Sequence, residues 1–171
     1  MPMNTTSERI GKNIDWPTLV MFTLGFWLSA SLVLDLVIMP SLSASGMMGQ
    51  NGFASAGYTL FGLFNRIELV CAALVLSGFL IFNRNHTFNH QNQTWAIAFS
   101  SLLFAIPLIY TYVLTPQMSG LGLSLNVFET VQTMPTDMIY LHEGYWLLEA
   151  IKFMAGLTLL RWCYQNSCRI S

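Results

Sequence analysis

Glu149 and Lys152 stand three residues apart within a long apolar run, and that spacing puts them side by side on one face of a helix. A carboxylate beside an ammonium is the arrangement that keeps a buried lysine charged, and it is also the pair through which a proton relay works. The face continues towards the start of the run as His142, Tyr145, Glu149 and Lys152, a polar stripe at helical spacing. Other ionisable groups interrupt other apolar runs: Asp35 in the first, and Asn65, Arg66 and Glu68 in the second. Estimated depths put Asp35, Asn65, Arg66, Glu68, His142 and Glu143 near one level, so they are expected to converge as a polar cluster. In that cluster Asp35 and Arg66 form the natural charge pair, with Glu68 competing for the arginine. Glu149 and Lys152 are expected deeper, as a separate mid-membrane pair.

Soft-metal chemistry has a narrower basis. Met138 and His142 are four residues apart, close enough on a helix to share Cu(I), and the chain holds 10 Met. Met is equally a flexible filler of apolar gaps. His86 and His90 are also four apart, in the polar stretch from Asn83 to Thr94 that reads as a solvated connector. Cys71, Cys163 and Cys168 lack the spacing of a disulfide framework or a closed metal site. No nucleophile-base constellation or phosphate-binding loop is present, so no enzymatic activity is expected, and no resident cofactor beyond the copper alternative. Net charge is −1, without the basic footprint of a nucleic-acid partner.

The elements that must carry these residues follow from composition and length. Of 171 residues, 54% are hydrophobic and only 9% charged; soluble domains carry about 25% charged residues. Spanning a bilayer takes about 20 consecutive apolar residues as a helix. Four such spans are expected, at about 16–39, 58–82, 95–114 and 138–162, the first closed by Pro40 and the third by Thr115-Pro116. Hydrocarbon offers no partner to an open sheet edge, so the spans are helices. A single membrane domain over 16–164 is then flanked by tails at 1–15 and 165–171. Arg9 and Lys12 followed by an apolar stretch and Ser43-Ala44-Ser45 have the outline of a signal peptide, but the stretch is too long and Asp35 interrupts it, so it is read as span one.

Charge sets the orientation. Arg9, Lys12, Arg84, Arg161 and Arg169 lie in or beside the two tails and the middle connector, whereas residues 41–56 and 116–139 contain no Lys or Arg. The positive-inside rule places both termini in the cytoplasm. The expected fold class is therefore all-α: a four-helix transmembrane bundle, up-down-up-down. Gly25 with Ser29, and Ala73 with Ser77, are the small residues expected at its helix contacts.

The motifs that accompany this pattern are Asp35-Leu-Val-Ile-Met-Pro40 closing span one, Asn65-Arg-x-Glu68 in span two, Thr115-Pro116 after span three and Leu141-His142 opening span four. In their order and spacing the chain resembles the four-helix membrane family that includes transmembrane protein 205-like proteins, itself similar in outline to copper-resistance D-like proteins. The resemblance implies a multi-pass topology and no particular activity, and its residue pattern stops at His142. Three functions remain as expectations. The first is handling of a small ion or solute through a polar path in the bundle. The second is a non-enzymatic accessory or assembly role beside a membrane-protein partner or a second copy. The third is copper or other metal binding. Besides such a partner the surroundings are the lipid bilayer, expected to be a bacterial plasma or internal membrane.

Overall fold

The computed structural model describes residues 16–47, 52–84, 90–128 and 136–167. Four helices account for nearly all of them, with no strand among the described residues. Helix α1 covers Trp16–Ala44, α2 Phe53–Arg84, α3 residues 90–128 and α4 Thr136–Ser167. Helix α1 packs against α2 and α4, and α3 packs against the same two helices. Three of the helices, over Trp16–Ala44, Ser55–Arg84 and Gln93–Gly122, are long and apolar enough to cross a membrane.

The helices are longer than expected because neither Pro40 nor Pro116 ends one. Each proline follows a π-helical turn, Leu34–Ile38 in α1 and Tyr110–Leu114 in α3, with one residue between. In a regular α-helix the proline ring strikes the carbonyl four residues back. Here Met39 N–H donates to the Leu34 carbonyl and Thr115 N–H to the Tyr110 carbonyl, five residues back. The widened turn carries the preceding carbonyls clear of the ring, and the helix continues. Helix α1 finally ends at Gly46, whose φ of +71° is the left-handed conformation that closes many helices. Helix α4 begins at Thr136, with Asp137 in its first turn beside the positive end of the helix dipole.

The molecule is apolar outside as well as inside. Phe22, Phe26, Leu36 and Val37 of α1 are exposed, as are Leu63, Ile67 and Val70 of α2 and Tyr112 and Val113 of α3. Helix α4 exposes Trp146, Leu147, Met154 and Leu157 along one side. Between the helices, one apolar cluster includes Val20, Leu24, Val75, Phe79, Leu103 and Leu159, and a second joins Ile106, Tyr110 and Leu114 to Tyr145, Leu148 and Ile151. The close helix contacts are not at the small residues expected. Gly25 has nothing within 4 Å of where a Cβ would lie, and Ser29, Ala73 and Ser77 are exposed. Instead a Cβ on Gly78 would overlap the Val20 side chain, and one on Gly156 would come 2.9 Å from Leu28 Cδ2.

Candidate functional site: a buried charge centre

Lys152 lies at the middle of the four helices with none of its surface exposed. Its Nζ donates to Glu68 Oε1 on α2 at 2.6 Å, to Glu149 Oε1 on α4 at 2.6 Å and to Ser31 Oγ on α1 at 3.0 Å. An ammonium has three protons, and these bonds use all of them. Glu68 Oε1 also accepts from Trp27 Nε1 at 2.8 Å and from Ser31 Oγ at 3.0 Å. One carboxylate oxygen thus gathers donors from two other helices. The rings of Tyr110, Phe153 and Trp27 stand 5.6, 5.9 and 6.0 Å from the ammonium, within the range of cation–π attraction.

A second set of polar groups adjoins the first. Tyr145 OH donates to Asp35 Oδ1 at 2.7 Å, linking α4 to the π turn of α1. Tyr110, in the π turn of α3, packs on Tyr145 with ring centroids 5.1 Å apart, and its hydroxyl reaches towards the Tyr145 carbonyl at 3.5 Å. Each π turn therefore carries one residue of the centre, and such turns recur where a helix builds a site. Asn65 Nδ2 donates to Thr115 Oγ1 at 2.8 Å, tying α2 to α3 just beyond its π turn. Asp35 is 4% exposed, Glu68 1% and Glu149 2%, so three carboxyl groups and one ammonium lie together away from water. Asp35 Oδ2 and Glu149 Oε2 are buried and have no hydrogen-bond partner among the described residues.

The two expected groups are thus redistributed. Glu149 and Lys152 do pair, but their centre also holds Glu68, expected in the other cluster. Asp35 and Asn65 are buried beside it. Arg66 and Glu143 are exposed, and neither of the two ion pairs among the described residues includes them, so the expected Asp35–Arg66 pair is not formed. Helical spacing gives the reason. Asn65 and Glu68, three apart, share a face, whereas Arg66 and Glu68, two apart, point to nearly opposite sides. The same geometry turns Glu143 away from Tyr145, Glu149 and Lys152.

His142 is half-buried near the start of α4, and its Nδ1 lies 2.9 Å from the Met138 carbonyl oxygen. The contact between these two residues is thus through the backbone, not through sulfur. Among the described residues no group of three or more His, Cys, Asp or Glu is disposed to hold a metal ion. His86 lies outside the described residues, as does the His90 side chain, and with them the expected pair. Trp27, Ser31 and Tyr110 belong to the site although their residue types gave no warning. Ser31 and Trp27 sit four and eight residues before Asp35, a helical-face relation that a search from Asp35 would have met. No family model, curated protein or solved structure matches the chain.

Proposed function

We propose that the chain is a four-span membrane protein, up-down-up-down with both termini in the cytoplasm, that handles a small ion or solute at its buried charge centre. Helix α4 falls short of a membrane span by composition because it carries Asp137, Glu143, Glu149, Lys152 and Arg161. Two of those charges are the buried ones, and the exposed stripe of Trp146, Leu147, Met154 and Leu157 is what lipid would meet. At 32 residues α4 is about 48 Å long, more than the hydrocarbon core requires.

The observation that carries the functional reading is the ammonium of Lys152 held by carboxylates of two helices with none of its surface exposed. Charges this deep are expensive in a membrane, and those that face the interior mark ion and proton routes. Reconstitution into liposomes with a trapped pH indicator tests it. An imposed proton gradient or potential drives flux through the wild-type protein, and Glu149→Gln abolishes it while circular dichroism and size-exclusion profiles stay unchanged. Equal flux through the variant overturns the proposal.

A second reading rests on a different observation. Arg66 is exposed on the same side of α2 as Leu63, Ile67 and Val70. An arginine on an apolar face is relieved by snorkelling to the headgroups or by a polar group on a neighbouring protein. An accessory role supplies that neighbour. Mild-detergent purification from native membrane would then recover a stoichiometric partner, and Arg66→Ala would release it. A single-component preparation counts against it.

A further inference from the structure

We infer that the ion taken by this centre is a proton, bound at Asp35 Oδ2 and Glu149 Oε2; this deepens the ion-handling reading above and rests on it. The titratable groups facing the centre are Asp35 from α1, Glu68 and Cys71 from α2, Tyr110 from α3, and Tyr145, Glu149 and Lys152 from α4. Three carboxylates and one ammonium sum to −2, in a region with almost no contact with water. Glu68 places one oxygen against three donors, so its charge is the one met by hydrogen bonds. The excess charge then falls on Asp35 and Glu149, and these are the two residues with an unpartnered buried oxygen. Two protons neutralise the centre, and two oxygens are free to take them. Each step transfers a proton from hydronium to a carboxylate oxygen, leaving water and a neutral carboxyl group, with no change of oxidation state.

Metal cations fit this centre less well on two counts. Calcium takes about six to eight oxygen ligands and magnesium six, in shells built around the ion. Only two unpartnered buried side-chain oxygens occur among the described residues, too few for either shell. The ammonium of Lys152, bonded to Glu149 itself, also repels a second cation at close range. A proton needs one oxygen and no shell. The route to it is one-sided. Leu24, Val75, Phe79, Leu103 and Leu159 form an apolar layer on the side of α1's N-terminus. Asn65, Thr115 and the half-buried His142 continue polar groups towards the other end, where α1 closes at Gly46.

Infrared difference spectroscopy of the full chain in lipid nanodiscs tests the assignment. At neutral pH, where exposed carboxyls are ionised, the wild type shows two protonated-carboxyl C=O bands that shift in deuterated water. Asp35→Asn and Glu149→Gln each remove one, and Glu143→Gln leaves both. Should either variant fail to fold, carbon-13 labelling of aspartate or of glutamate in the wild-type protein shifts one band each and makes the same assignment. Absence of these bands, or their loss on adding sodium chloride at constant pH, overturns the proton assignment. Flux in liposomes without the bands leaves ion handling standing and sinks this inference. Bands without flux keep the proton site and sink the transport reading.

Discussion

The Tyr145 hydroxyl lies 2.7 Å from Asp35 Oδ1, a bond between residues 110 apart in the chain that joins the fourth helix to the π turn of the first. It is the hydrogen bond that Asp35 makes from its carboxyl group, whose other oxygen has no partner among the described residues. Tyr145→Phe therefore leaves a buried carboxyl group with neither oxygen satisfied from this helix, destabilising the protein by about 1–3 kcal/mol. Tyr110→Phe loses the long 3.5 Å contact to the Tyr145 carbonyl and the hydroxyl's interaction with Glu149, and has a smaller effect. Thermal unfolding in one detergent ranks the two. If Tyr110→Phe is the more damaging, the bond to Asp35 is not the one that matters.

Removing the ammonium while keeping its partners is the harshest change available at the centre. Lys152→Met leaves the Glu68 carboxylate buried without a counter-charge and Glu149 Oε1 without its donor, at a penalty of about 3–5 kcal/mol. Adding Glu68→Gln and Glu149→Gln to the same chain restores most of the loss, because the charge to be compensated has gone. A triple variant no more stable than the single one would show that Lys152 acts through packing alone. Equilibrium unfolding in mixed micelles measures both.

The helix contacts give a prediction independent of charge. Gly78→Ala pushes a methyl group into Val20 and destabilises the α1–α2 contact by about 1–3 kcal/mol. Combining it with Val20→Ala relieves the overlap and recovers part of the loss. Gly156→Ala is milder, because the nearest atoms are the ends of a leucine side chain, which can turn away. Gly25→Ala meets open space and is neutral or slightly stabilising. Melting temperatures of the four variants check the order.

Orientation is accessible to chemical labelling. In a Cys168→Ser background, Cys71 and Cys163 are buried and stay silent to a membrane-impermeant maleimide. Ser45→Cys is then labelled from outside intact cells, and Asn83→Cys only after the membrane is opened. The reverse pattern would invert the topology proposed from the Lys and Arg distribution.

Helix content, the three long apolar helices α1 to α3 and the Glu149–Lys152 pair were legible because each depends on residues close in sequence. The helix ends were not. Pro40 and Pro116 read as stops, since a proline is incompatible with regular α-helical bonding, and nothing in the one-dimensional pattern signals that a π turn will absorb it. The pairing of Asp35 was missed for another reason. Depth estimates place residues along the membrane normal but not around a helix, so Arg66 seemed as available as Glu68. Helical angle separates them, and only the packing of α2 against α1 and α3 decides which face turns inward.

Glu68 waits 84 residues for Lys152, and this interval has a meaning during synthesis. Helices α1 and α2 emerge first, carrying Asp35 and Glu68 before the buried cation has been made. The fourth helix carries the only lysine among the described residues and the tyrosine bonded to Asp35. Until then the earlier pair is an unfinished product. Truncation ahead of residue 145 should leave such a chain to quality-control proteolysis, so the charge centre doubles as a mark that the fourth helix has been delivered.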